Sequence, residues 1–269
     1  MRGFKALNKM QKIIEIKELN YSYPDGTVAL RNINLDLFEG ETLGIIGPNG
    51  AGKSTFLLHL NGLLRGKGQV KVTDLEVNDK NLKKIRSKVG MVFQDPDSQL
   101  FMPTVFEDVA FGPMNMGLSK DEVENAVTEA LTKVDMLKSI KRLSHHLSFG
   151  EKKRISIATV LSMSPEILVL DEPSSNLDPK HRRDLINLLK ELNVTQIVAT
   201  HDMDMVMDIC TRTVLIDKGT IVADGKVMDI LSDKDLLESH DLELPFSLAF
   251  LKNERQENLA MIQFPAATG

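Results

Sequence analysis

The residues best suited to chemistry lie in one glycine-rich stretch, 47–54, which reads GPNGAGKS. It matches the pattern G-x-x-x-x-G-K-[ST], in which glycines let backbone N–H groups close around phosphates. Lys53 can reach the outer phosphates of a nucleoside triphosphate, and the hydroxyl of Ser54 is a suitable ligand for Mg²⁺. The predicted nucleotide-binding residues here are Gly47, Pro48, Asn49, Gly50, Ala51, Gly52, Lys53, Ser54 and Thr55.

The elements on either side of this stretch are those that a phosphate loop requires. Residues 43–46 form a short apolar run, which predicts a buried strand. Phe56, Leu57, Leu60 and Leu64 recur at helical spacing, so a helix should begin at the loop and add the positive end of its dipole. A glycine-rich turn that matched by chance would lack this context.

Composition limits the classes of protein to consider. The chain has 269 residues with 42% hydrophobic and 26% charged residues, as in an ordinary globular protein. A net charge of -5 gives no general attraction to nucleic acid, so we expect no nucleic-acid partner. Cys210 is the only cysteine, which fits a reducing cytoplasm. No apolar run approaches transmembrane length and no signal-peptide pattern is present, so any membrane role should come through a partner.

A second group of candidate residues lies further along the chain. Asp171 and Glu172 end the apolar run 167–170, and His201 follows another apolar run. A carboxylate at the end of a buried strand beside a phosphate loop can hold Mg²⁺ through water. Its neighbour can accept a proton from a water that attacks phosphate. LSFGE at 147–151 precedes a helical pattern.

With these motifs together, the chain resembles the ATP-binding subunits of ABC transporters over residues 13–225. In that family the phosphate loop is Walker A, VLDE ends Walker B, and LSFGE stands where the signature LSGGQ usually does. SNLD at 175–178 matches the D-loop, Gln94 the Q-loop, His201 the switch histidine, and Tyr23 the aromatic that stacks on adenine.

The resemblance implies an α/β fold: a P-loop NTPase core with an antiparallel β subdomain and a helical signature subdomain. It implies ATP and Mg²⁺ as cofactors, with Glu172 as general base and His201 holding the γ-phosphate and the base. The implied metal ligands are Ser54, Gln94 and Asp171.

Two such subunits would pack head to tail, so that the signature of one completes the ATP site of the other. The residues that would act across the dimer are Ser148, Phe149, Gly150 and Glu151 of the signature. Asp178 is the candidate site residue of the D-loop. Phe149 departs from the commonest signature, which has glycine there, whereas Ser148 and Gly150 are retained.

Two stretches, 21–30 and 92–119, are similar to the energy-coupling-factor group, the ATPases of cobalt, nickel and vitamin importers. We therefore predict a peripheral subunit on the cytoplasmic face of the cell membrane that powers import through integral membrane subunits. The alternative is an ABC-type ATPase that is not tied to a transporter. Repair ATPases of that kind carry a long coiled coil between Walker A and the signature, and this chain has no heptad run between those two motifs. A small-molecule kinase with a phosphate loop would not explain LSFGE.

The predicted organisation is an ABC ATPase domain at 13–225, a helical insertion at about 95–162, and a helical C-terminal extension at 226–269 as a candidate dimer contact. Residues 99–116 are rich in Phe and Met, which predicts a docking surface for a membrane subunit. Within it we expect Phe101 and Met102 to face the partner and Phe106 and Phe111 to point inward. The alternative is that these side chains fill the core of the insertion.

Overall fold

The structure is a computed structural model that describes residues 11–250. Its strands are β1 Lys12–Ser22, β2 Val28–Phe38, β3 Thr42–Ile46, β4 Lys67–Val72, β5 Leu75–Glu76, β6 Val89–Val92, β7 Ile167–Asp171, β8 Thr195–Ala199, β9 Arg212–Asp217 and β10 Thr220–Lys226. Its α-helices are α1 Lys53–Leu60, α2 Leu82–Lys88, α3 Val105–Met116, α4 Lys120–Lys133, α5 Phe149–Leu161, α6 Pro179–Glu191, α7 Met203–Ile209, α8 Val227–Leu231 and α9 Lys234–Ser239.

The main sheet has six strands in the order β10-β9-β3-β8-β7-β6. All neighbours in it pair in parallel except β10, which pairs antiparallel with β9. The central strands are buried along nearly their whole length, which explains why their sequences are apolar runs without alternation. Because β3, β8 and β7 are neighbours, the segments that follow them meet at one edge of the sheet.

The second sheet is antiparallel, in the order β2-β1-β4-β5. Its buried side chains pack on α1, where Phe56 and Leu57 are fully buried in the same core cluster. The loop between β1 and β2 carries Tyr23, whose N–H donates to the carbonyl of Thr27 at 2.9 Å. This sheet therefore holds the aromatic ring beside the start of α1.

Three helices, α3, α4 and α5, pack on one another in the predicted insertion, and their buried side chains share a core cluster with β7, β8 and α6. A capping box of Ser119 and Glu122 begins α4. Matching boxes, Thr104 with Glu107 and Ser148 with Glu151, begin α3 and α5. Each box satisfies N–H groups that a helix start leaves without partners, so the helix boundaries follow from local sequence.

The chain after β10 continues as helices α8 and α9, within the predicted extension 226–269. Leu231 and Leu237 are fully buried against Ile46 of β3 and Leu215 of β9, so this part shares a core with the main sheet. The remainder of the extension, from 251 on, lies outside the described residues. Among residues 11–250, no helix has the length and apolar character needed to span a bilayer.

One predicted element is shorter than the spacing of apolar residues suggested. Helix α1 ends at Leu60, so Leu64 lies outside it. Gly62 follows with φ of 68°, in the left-handed region that an α-helix cannot continue through. The chain turns here toward β4.

Candidate nucleotide-binding and catalytic site

The phosphate loop joins β3 to α1 and forms one wall of a pocket of about 650 Å³. Gly52 has φ of 106°, and a side chain there would bring its Cβ within 2.6 Å of the carbonyl oxygen of Ala29. Lys53 is buried, and its ammonium donates to the carbonyls of Gly47 at 2.7 Å and Pro48 at 3.1 Å. Burial lowers the pKa of Lys53, and the charges of Glu172 and Asp171 oppose that change. The lysine therefore lies between the loop and two carboxylates.

The predicted metal ligand Asp171 ends β7, next to the pocket. Asp171 carries an oxygen, Oδ1, that is buried and has no hydrogen-bond partner within residues 11–250. Burial raises the pKa of Asp171, while the nearby Ser54 hydroxyl acts in the opposite direction. Gln94 lines the same pocket. A carboxylate, a hydroxyl and an amide oxygen form a hard donor set that suits Mg²⁺ bound mainly by phosphate and water.

The carboxylate of Glu172 is buried and tightly held. Its Oε2 atom lies 2.8 Å from Nδ1 of His201, and it accepts a hydrogen bond from the hydroxyl of Thr200 at 3.1 Å. The backbone of Glu172 has φ of 45°, in a region that non-glycine residues rarely adopt. Oε1 has no hydrogen bond to the described residues, so it can take a proton from a water in the pocket.

His201 follows β8 and connects the base to the open pocket. Its side chain is 65% exposed, and Nδ1 is the atom that contacts Glu172. The other ring nitrogen, Nε2, is therefore the one that can reach a ligand. The structure brings these two predicted residues together, and their roles as general base and supporting histidine stay predictions.

Tyr23 lies on the opposite side of the pocket. Its hydroxyl lies 2.8 Å from the hydroxyl of Thr55, and its ring packs edge-on against Tyr21 at 5.1 Å. A ring fixed at its tip and along one edge offers one face to a planar ligand. Stacking of this face on adenine stays a prediction.

The signature residues do not line this pocket. Ser148 begins α5, and its N–H donates to Oε2 of Glu151 at 2.8 Å, while Arg142 pairs with the same carboxylate at 2.6 Å. Phe149 and Gly150 form the first turn of α5. The predicted site is thus divided, with the signature away from the phosphate loop of its own chain.

The D-loop lies beside the signature instead. Asp178 caps α6 by accepting from two backbone N–H groups, and its Oδ2 lies 2.6 Å from Nδ1 of His181. A Cβ on Gly150 would come within 3.0 Å of the His181 ring. His181 therefore joins the D-loop to the signature, the segment that was predicted to face a second subunit. The sequence did not single it out, and nothing in its local pattern could have.

Two other pocket residues have no sequence signal. Asp241 and Leu242, just after α9, line the nucleotide pocket near the phosphate loop. They are held there by packing of Leu242 in the core and by contact of His240 with Asp217 at 2.9 Å. The extension after β10 is therefore part of the pocket wall.

A separate, mainly apolar groove of about 1080 Å³ lies between α2, α3, α5 and the segment after β6. Phe101, 63% exposed, packs edge-to-face on Phe111, with ring centroids 5.0 Å apart. The expectation that Phe111 points inward is wrong, since it is 41% exposed on the outer side of α3. Val109 and Ala110 take the buried side instead, while Phe106 packs against the core as expected.

Asp108 fixes the shape of this groove. Its Oδ1 accepts from the N–H groups of Phe101 at 3.0 Å and Met102 at 2.9 Å. Its Oδ2 accepts from the hydroxyl of Ser144. The buried carboxylate of Asp108 thus holds the backbone of Phe101 in place, and the Phe101 ring stays exposed at the surface.

Comparison with known proteins identifies the family. The profile of the family described as ABC transporter matches residues 30–175, more than half of the chain. The chain belongs to this family. The predicted resemblance and the α/β fold with its antiparallel and helical subdomains are confirmed.

The relatives agree on the kind of protein. A putative ABC transporter ATP-binding protein of Gloeobacter violaceus is 54% identical over 236 residues, covering 87% of this chain and 97% of the relative. The energy-coupling factor transporter ATP-binding protein EcfA of Methanothermobacter thermautotrophicus is 47% identical over 249 residues, covering 90% and 80%. This ABC protein is therefore an ATP-hydrolysing transporter subunit of the EcfA type.

Solved structures support the same assignment. The structure of cbiO1 from Clostridium perfringens, part of the ABC transporter complex cbiONQ, aligns with a TM-score of 0.76 and 38% identity over 90% of this chain and 99% of that one. The ATP-binding cassette MJ0796, solved as a dimer with ADP and Pi, gives 0.72 and 28% over 80% and 98%.

Proposed function

We propose that this ATPase powers import of a small substrate, either a transition metal ion such as cobalt or nickel or a vitamin, through a partner membrane complex. The observation that carries the proposal is the apolar groove around Phe101 and Phe111, held open by a buried carboxylate. Relatives named as energy-coupling factor subunits, and a structural neighbour that is part of a transporter complex, support it. The subunit then lies at the cytoplasmic face of the membrane.

In the proposed chemistry, Glu172 is the general base. Oε1 takes a proton from a water molecule while the oxygen of that water bonds to the γ-phosphorus. The bond from that phosphorus to the β–γ bridging oxygen breaks. His201 holds Glu172 through Nδ1 and donates to the γ-phosphate through Nε2. Lys53 and the backbone of the phosphate loop bind the outer phosphates.

Mg²⁺ would be held by Ser54, Gln94 and Asp171, and it supplies positive charge to the phosphates. The buried, unpartnered Oδ1 of Asp171 supports this assignment. Tyr23 binds the adenine ring through its free face. These roles are those that the local geometry supports best.

A second subunit, either another copy or a close relative, supplies the signature. Ser148, Phe149, Gly150 and Glu151 cannot act on the phosphate loop of their own chain, because they lie outside that pocket. Head-to-tail packing places the start of α5 and the D-loop Asp178 against the neighbour's nucleotide. Phe246, which is exposed and lines a cleft with Ser175 and His201, supports the extension 226–269 as a further dimer contact.

The membrane subunit docks in the groove around Phe101. Phe101→Ser should leave folding and basal ATPase unchanged but should abolish co-purification with the membrane subunit and transport. Leu137→Ser is the control, since Leu137 is an exposed apolar residue of the same helical subdomain that does not line the groove. A fall of several degrees in Tm for Phe101→Ser, with coupling intact, would show that the ring is core and that docking occurs elsewhere.

A further inference from the structure

A buried lysine of α5 belongs to neither the nucleotide pocket nor the signature. Lys153 is 1% exposed, although lysine is almost never buried without a partner. Its ammonium donates to the backbone carbonyls of Gln94 at 2.6 Å and Phe93 at 3.3 Å. No carboxylate of residues 11–250 forms a salt bridge with it. The lysine therefore holds a loop.

The charge is expensive at this position. Burial lowers the pKa of Lys153 to about 8, against the opposing effect of nearby carboxylates, among which Asp171 acts most strongly. An uncharged side chain of similar length would fill the space without that desolvation cost. We therefore assign the ammonium the role of fixing the backbone carbonyls to which it donates.

A second side chain ties the same loop to the same helix. Oε1 of Gln99 accepts from the N–H of Phe93 at 3.2 Å. Its Nε2 donates to the carbonyl of Ser156 and to the hydroxyl of Thr159, both at 2.8 Å. The loop that carries Gln94 is thus attached to α5 at two levels.

We infer that Lys153 is a positioning residue that fixes Gln94 against α5, so that Gln94 and Ser148 move as one unit. Gln94 lines the nucleotide pocket of its own subunit, and Ser148 begins the helix that carries Lys153. The inference rests on the proposed roles of these two residues at Mg²⁺ and at the neighbour's phosphates. Nucleotide bound in one pocket then sets the position of the signature that enters the other.

The first test is the assembly of the dimer. In a Glu172→Gln background, Lys153→Met should raise the Mg·ATP concentration for half-maximal dimer about tenfold, as for a lost hydrogen bond to a charged group. Analytical ultracentrifugation measures this directly. Lys133→Met is the control, because Lys133 is an exposed lysine at the end of α4, outside both α5 and the loop of Gln94, and its replacement should change that concentration less than about threefold.

A double-mutant cycle separates positioning from a direct effect. If Lys153 acts through Gln94, the double variant Lys153→Met/Gln94→Ala should form dimers no more weakly than the single variant that dimerises more weakly. Effects that multiply, or dimer formation unchanged by Lys153→Met, would overturn the inference. Should the methionine variant not fold, Lys153→Gln keeps one donor and should give a smaller shift.

A last measurement does not depend on dimers. In the subunit without nucleotide, amide hydrogen exchange over 93–99 should be faster in Lys153→Met than in wild type or Lys133→Met, while β3 and β8 report that the fold is intact. If Glu172→Gln fails to dimerise with Mg·ATP, the head-to-tail proposal fails, and exchange over 93–99 still decides the role of Lys153. Unchanged protection there contradicts it.

Discussion

Two helices begin at loops predicted to meet phosphate, yet their N-termini are built in opposite ways. Helix α1 follows Gly52, and no side chain caps it. Its first turn carries no acidic residue, so the free N–H groups remain available for a ligand. Helix α5 begins with a complete capping box of Ser148 and Glu151. One helix start is left open for a ligand, and the other is satisfied by its own residues.

This difference fits the different roles that the two halves of the proposed composite site would have. The open start of α1 is stabilised by the nucleotide that its own chain binds. The capped start of α5 is stable by itself, so it can remain folded until a neighbour presents its phosphates. Glu151 places a carboxylate in that first turn, which weakens the attraction of α5 for anions. Under the proposed head-to-tail packing, the signature would then bind phosphate only where a second subunit supplies further contacts.

The largest effect is expected on the α1 side of the comparison. Glu172→Gln should lower ATP turnover about 10²–10⁴-fold while ATP still binds, because the amide keeps the shape and cannot accept the proton. With ATP the variant should accumulate as a closed dimer in size-exclusion chromatography. The exposed Glu166, just before β7, gives the control Glu166→Gln. Wild-type turnover in Glu172→Gln would rule out this residue as the base.

A change at Asp171 should separate stability from metal use. Burial raises the pKa of Asp171, so its ionised form lowers the stability of the fold at neutral pH. Asp171→Asn should therefore raise Tm near neutral pH. It should also raise the Mg²⁺ concentration needed for half-maximal turnover at least about tenfold. The gain in Tm should shrink as pH falls toward the pKa of Asp171, because the wild-type carboxyl is then protonated too. A gain that grows at low pH would contradict the sign.

The smallest effect is expected at the start of α5. Glu151→Gln keeps a residue that can close the capping box and removes the carboxylate. We expect the ATP concentration for half-maximal dimer to fall about two- to fivefold, since a carboxylate near a helix N-terminus opposes phosphate there. Tm should change little, because the pair with Arg142 is partly exposed. Weaker dimers in this variant would mean that Glu151 contacts the partner directly.

Much of the α1 side could be predicted from the sequence because its signals are local. The phosphate loop marks the end of one strand, and the apolar run before Asp171 marks the end of another. Glu172 is the next residue, so its place also follows without reference to the rest of the chain. The order of the parallel strands then brings His201 to the same edge.

The remaining features depend on packing between distant segments. Phe111 is exposed because the core packs against the other face of α3. The sequence of α3 is compatible with burial of either face. Lys153 reads as part of a basic run, and only the fold places its ammonium on the loop of Gln94. Glu151 matches a signature position, whereas its bond to Ser148 is a capping role that the same spacing also predicts.

The measurement that tests the divided site most directly is a mixture of two variants. Ser148→Arg should bind ATP nearly as well as wild type as an isolated subunit but should not hydrolyse it, and Lys53→Ala should be inactive through loss of its own phosphate contact. Mixed in equal amounts, the two should recover up to about a quarter of wild-type turnover, since half of the dimers then hold one intact composite site out of two. Loss of ATP affinity in the Ser148→Arg subunit alone, or mixed dimers that stay inactive, would contradict the account.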